Sequence, residues 1–174
     1  FIGSGITSLL MEELREKQQW IYNVQLDNYT NPYGTFLIIE IATKNKHIRN
    51  VIEGTLKILK KLATGKFKET YLEYVKKAYM VEHYDTCLNN SYLSNFYGEQ
   101  YINQLYNVDE DPKILSFNEV ADAILKLSKF NFVSFIKKLL IFSNMKVAYQ
   151  GKKEEPNLKG LVLRNIDTIS RRAN

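Results

Sequence analysis

The spacing of apolar residues changes period along this chain, and each period predicts an element. Leu10, Met11 and Leu14 form a stripe between Glu12, Glu13, Arg15 and Glu16, the pattern of a helix over residues 7–18. Strict alternation follows, with Tyr22, Val24 and Leu26 on one side and Asn23, Gln25 and Asp27 on the other, which reads as a half-buried strand. Asn28 to Gly34, with Pro32, reads as a turn. Thr35 to Ala42 is nearly all apolar, as expected of a strand covered on both faces. Two strands so close in sequence predict an antiparallel hairpin.

Helical spacing then runs from Lys46 to Leu62, through Ile48, Val51, Ile52, Leu56, Leu59 and Leu62, and Thr64-Gly65 stops it. Glycine there supplies the left-handed backbone that helix ends use. Lys68 to about Phe96 reads as one long helix, bent or ended at Gly98 and resuming to Tyr106. Asp109 to Pro112 is a loop. Ser116-Phe117-Asn118-Glu119 is a capping box opening another helix, and Asn131 is expected to cap one carrying Phe132, Phe135, Ile136 and Leu139. Met145, Val147 and Tyr149 alternate as a closing strand before Gly151. The order predicts an α+β domain over residues 1–151, a mostly antiparallel sheet with several helices packed on one face. Residues 152–174 are charged and weakly patterned, a C-terminal extension.

Composition narrows the picture. With 174 residues, 45% apolar and 25% charged, one such domain accounts for the chain without disulfide or metal staples. The lone Cys87 excludes an intrachain disulfide and points to a reducing, intracellular compartment. Apolar runs such as Phe36 to Ile39 fall far short of the ~20 residues of a membrane span, so no membrane partner is expected. The net charge of +5 is modest. Lys57, Lys60, Lys61, Lys66 and Lys68 form a basic stretch, but it follows the polar side of an amphipathic helix, and most of the 12 tyrosines sit at packing spacings. That pattern argues against nucleic acid as the partner. The opening Phe-Ile-Gly-Ser-Gly, without an initiator Met, reads as the interior of a longer polypeptide.

No catalytic constellation is complete. The two histidines, His47 and His83, belong to no His-x-x-Glu-His pattern. His83 and Cys87 share a helix face, yet one helix offers too few ligands to close a metal tetrahedron, and a surface His beside a buried Cys is the simpler arrangement. Gly3-Ser4-Gly5 lacks the further glycine and the lysine of a phosphate loop, and no Gly-x-Ser-x-Gly occurs.

One stretch is specific. Gly3-Ser4-Gly5, then Leu14-Arg15-Glu16-Lys17, then Tyr22 seven residues after the arginine, resembles the insulinase/pitrilysin-type zinc metallopeptidases in the second, C-terminal half of their catalytic unit. The later order is similar too: Gly34 before the second strand, the Thr64-Gly65 break, the long lysine-bearing helix, and the closing strand ending in Gly151. The resemblance covers roughly residues 1–151 and implies that a first strand lies upstream of the chain. Many relatives have glycine four residues after the arginine or just before the tyrosine. Here Gln19 and Ile21 stand there, and a β-branched Ile disfavours a left-handed conformation.

The resemblance implies a division of labour. Zinc and the general base belong to an N-terminal half, on the same polypeptide or a partner subunit, and this chain holds no metal. Arg15 and Tyr22 stabilise the substrate carbonyl or oxyanion, with a peptide or protein as substrate. Both residue types suit that task, since a guanidinium and a phenol are strong donors. In a different setting, Arg15 would be a surface partner of Glu12 or Glu16, and Tyr22 an inward strand aromatic. A non-catalytic scaffold or substrate-recognition subunit of the same fold is the alternative function, and a basic binding module a third.

Overall fold

β1 (Ile21–Asn31) and β2 (Gly34–Thr43) pair antiparallel in the computed structural model, which describes residues 9–31, 34–106, 113–141, 144–151 and 160. The register sets Val24 opposite Ile41, Leu26 opposite Ile39 and Tyr29 opposite Phe36. Val24 is buried and Leu26, Ile39 and Ile41 half-buried, so one face meets the core, while Gln25, Asp27, Glu40 and the Tyr29–Phe36 pair stand exposed on the other. That alternation is the pleat expressed as burial. Pairing continues to Asn31, so the strands outrun the expected turn at Asn28; Pro32 and Tyr33, between the strands, lie outside the described residues.

Helix α1 (Ile48–Ala63) buries Val51, Leu56, Leu59 and Leu62 in the same core cluster as Val24 of β1, with Leu26, Ile39 and Ile41 packed against it. It ends as its sequence requires. Gly65 has φ +68°, its N–H donates to the Leu62 carbonyl at 3.1 Å, and the Lys66 N–H donates to Lys61 at 2.9 Å, the two bonds of a Schellman closure. Helix α5 (Lys129–Leu139) closes the core through Phe132 and Ile136. The fold class is therefore α+β, with the described sheet limited to this hairpin.

Helices α2 (Glu69–Thr86), α3 (Asn90–Tyr106) and α4 (Phe117–Leu125) build a second cluster around a histidine. His83 is 2% exposed, stacks on the Phe117 ring at 3.3 Å between centroids, and its Nε2 lies 3.0 Å from the Phe117 carbonyl. Lys76, also buried, donates to Glu73 at 2.8 Å and to the Leu125 carbonyl at 3.2 Å, placing a cation at the negative end of α4. The capping box of α4 forms as expected: Ser116 Oγ accepts from the Glu119 N–H, and the Ser116 N–H donates to Glu119 Oε2 at 2.8 Å.

Four expectations are corrected. The long helix breaks at Cys87–Asn89, not at Gly98, because Asn89 Oδ1 accepts from the N–H groups of Ser91 and Tyr92 and starts α3. The cap of α5 is Ser128, whose hydroxyl accepts from the Asn131 N–H at 3.2 Å. Met145–Tyr149 joins no ladder; Met145 packs against the core instead, which satisfies the apolar alternation without strand pairing. His83 is buried and Cys87 half-exposed, the reverse of the simpler arrangement, because ring stacking on Phe117 and Tyr79 compensates the imidazole's burial. The Gly3-Ser4-Gly5 loop, the Asp109–Pro112 loop and nearly all of 152–174 lie outside the described residues.

Candidate functional site

The junction between the opening helix and β1 is built residue by residue. Residues Met11–Glu16 form a π-helix, one residue wider per turn than an α-helix and a feature often found at functional sites. Leu14 is buried and packs toward α1 at Gly54. The helix ends at Gln19, whose φ of +56° puts a non-glycine side chain in the left-handed region. Its N–H donates to the Arg15 carbonyl at 2.9 Å, and the Trp20 N–H to Leu14 at 2.8 Å. Each bond spans one residue more than in the closure of α1, as the wider π-turn demands. The left-handed residue thus stands four after the arginine, one of the two places where the resemblance leads one to expect glycine.

Thr43, the last residue of β2, fastens the far side by donating its hydroxyl to the Trp20 carbonyl at 2.6 Å. The next step is irregular. Ile21 pairs with Thr43 and Asn23 with Ala42, so Tyr22 is the extra residue of a β-bulge. Ile21 takes the buried position and Tyr22 is left 56% exposed. This corrects the expected grouping of Tyr22 with Val24 and Leu26: the bulge re-aims its side chain out of the core. The adjacent apolar pair Ile21-Tyr22, which a regular strand cannot send to one face, was the signal in the sequence.

Charge around the junction is unevenly partnered. Lys17 holds both Glu12 at 2.8 Å and Glu13 at 2.9 Å, and those bonds hold the ammonium above the usual lysine range. The Lys17 hydrogen bond likewise lowers the Glu13 carboxyl. Glu12 and Glu13 both face a different cation, and Arg15, exposed in the last helical turn, makes no ion pair among the described residues, with Glu16 or any other carboxylate. The Tyr22 phenol makes no hydrogen bond among them either, and the Lys44 ammonium lies 5.7 Å from its ring centroid. Lys44 escaped the sequence reading, since nothing in the chain marks the residue after a strand as a neighbour of Tyr22.

Two donors without acceptors among the described residues, carried by a helix end and a bulged strand pinned together, can serve an acceptor from outside. A metal is a different matter. Among the described residues no three His, Cys, Asp or Glu side chains converge, so they do not fit a zinc site. Nor is any described helix long and apolar enough to cross a membrane.

No curated protein matches the chain significantly. A family model does: residues 1–79 match the model described as the peptidase M16 inactive domain, a stretch that holds the junction, the hairpin, α1 and the first part of α2. Residues 1–79 are thus similar to a C-terminal domain of the M16, insulinase-type peptidases, the domain described as inactive.

Proposed function

We propose that this chain is the substrate-side half of a zinc metalloendopeptidase, with Arg15 and Tyr22 donating hydrogen bonds to the carbonyl of a bound peptide. The observation that carries the reading is their state: both are exposed at one braced junction, and neither side chain has an acceptor among the described residues. A carbonyl oxygen that gains negative charge during hydrolysis rewards such donors, each worth ~3–4 kcal/mol when preorganised. Zinc and the general base would come from a catalytic half outside this chain, on the same polypeptide or a partner subunit.

The test is Arg15→Ala and Tyr22→Phe in the full-length protein, assayed on an internally quenched peptide. The expected outcome is kcat lower by roughly a hundredfold or more for each, at unchanged zinc content. Unaltered turnover in both variants overturns the reading. The family description as an inactive domain favours a second reading, a recognition or scaffold subunit without turnover. The upstream sequence separates the two, because the enzyme requires an intact His-x-x-Glu-His there or on a partner.

A further inference from the structure

A recess lies on another face of the opening helix, where that helix meets the end of α1 and the start of α2, and encloses about 550 Å³. Its apolar lining comes from Leu9, Ile58, Leu62 and Phe67, with Tyr71 beside them. Phe67 is held in place, since Lys129 donates to its carbonyl at 2.6 Å and its ring meets Phe132 edge-on at 5.7 Å. Lys17, Lys61, Lys66 and Lys68 also line the recess, against the two carboxylates of Glu12 and Glu13. Lys17 already satisfies both carboxylates. Lys61, Lys66 and Lys68 are exposed and make no ion pair among the described residues.

We infer that this recess docks an acidic peptide segment, an apolar side chain entering among Ile58, Leu62 and Phe67 while flanking carboxylates pair with Lys61, Lys66 and Lys68. Three exposed ammonium groups that make no ion pair among the described residues, set around an apolar lining, complement that chemistry and little else. A nucleic-acid backbone would use the lysines but leave the lining empty, and it would meet the carboxylates of Glu12 and Glu13. A small inorganic anion would waste the volume, which falls in the ~300–1,000 Å³ of pockets that take whole ligands. The inference stands apart from the role proposed for Arg15 and Tyr22.

The experiment measures fluorescence anisotropy of a labelled peptide, glutamates around a central phenylalanine, on the full-length protein, with peptide integrity checked by mass spectrometry. Its glutamine analogue should bind about tenfold more weakly, the sum of a few exposed ion pairs, and this comparison needs no variant. The triple variant Lys61→Ala/Lys66→Ala/Lys68→Ala should lose about the same factor, while Lys126→Ala, on an exposed residue that does not line the recess, should lose none. Replacing the central phenylalanine by serine should weaken binding as well. Absence of binding, equal affinity of the glutamine analogue, or an unaffected triple variant overturns the inference. So does a labelled oligothymidylate that binds more tightly than the peptide and is released by the same substitutions.

Discussion

Leu14 occupies the space that a side chain on Gly54 would need: a Cβ added to Gly54 would stand 2.5 Å from Leu14 Cδ2. The buried leucine and the bare turn of α1 are therefore one fitting, and it sets the height at which the opening helix, with Arg15, rides over the core. Gly54→Ala should cost about 1–3 kcal/mol, the range for overpacking a tight contact, although alanine is the better helix former. Urea unfolding checks it. Leu14→Ala in the same chain should relieve the clash, so the double variant should be more stable than the two single losses predict.

Gln19 and Gly65 end neighbouring helices with the same handedness but different chemistry. Gln19 sits at φ +56° with a Cβ that the left-handed region penalises by roughly 1–2 kcal/mol. Gln19→Gly should raise stability by about 1 kcal/mol, seen as a higher urea midpoint with unchanged slope. At Gly65 the sign reverses. Alanine there meets the same penalty, and its Cβ would lie 3.3 Å from Val133 Cγ2, so Gly65→Ala should lower stability by at least about 1 kcal/mol.

These two positions also show what the chain discloses in advance. Gly65 was legible because a left-handed helix end calls for glycine, and Ser116 with Glu119 because a capping box is written in four consecutive residues. The hairpin followed from alternation alone. The spacing singled out Tyr22 but did not disclose the direction of its side chain, because a one-residue bulge reverses every side chain before it and costs the sequence only one unpaired position. The break before α3 was hidden for a related reason: Asn89 ends one helix and starts another through its own side chain, while Gly98, the louder signal, lies inside α3. Lysines 61, 66 and 68 read as a solvated face, and only tertiary packing sets them around an apolar recess.

Gly98 makes a third test. It lies within α3 with nothing within 4 Å of an added Cβ, so no packing reason opposes a side chain there. Gly98→Ala should stabilise the protein by about 0.5–1 kcal/mol through helix propensity. Asn89→Ala should do the opposite by removing the cap of that helix, by about 1 kcal/mol. Helix content by circular dichroism should move in parallel with both.

Acid should loosen α4 in a defined window. The ion pair with Lys113, and then the Ser116 backbone N–H, bring the Glu119 carboxyl down from 4.5 to about 2. A group whose folded pKa is depressed stabilises the fold above its unfolded pKa and loses that contribution as pH falls through the folded value. Stability should therefore decline between about pH 4.5 and pH 2 as Glu119 protonates. Glu119→Gln should flatten that part of the pH profile and bring the neutral plateau down by the amount the unsubstituted protein loses there, a small one since the pair is exposed. An acid profile identical to that of the unsubstituted protein would exclude Glu119 as its source.

The junction itself allows fold and function to be separated by measurement. Arg15 and Tyr22 are exposed and their side chains make no hydrogen bond among the described residues, so Arg15→Ala and Tyr22→Phe should each leave unfolding free energy within about 0.5 kcal/mol. Thr43 is different. Its hydroxyl is half-buried and binds the Trp20 carbonyl, which lies between Arg15 and Tyr22 in the chain, so Thr43→Val should cost about 1 kcal/mol or more by leaving that carbonyl unpaired. If Arg15 and Tyr22 act through fixed positions, Thr43→Val should also lower kcat of the full-length protein without touching any donor, because a loosened brace spreads both groups over more orientations. Thr43→Ser, which keeps the hydroxyl, should restore most of both losses. A Thr43→Val protein that is less stable yet turns over peptide at the original rate would show that the bond braces the fold alone.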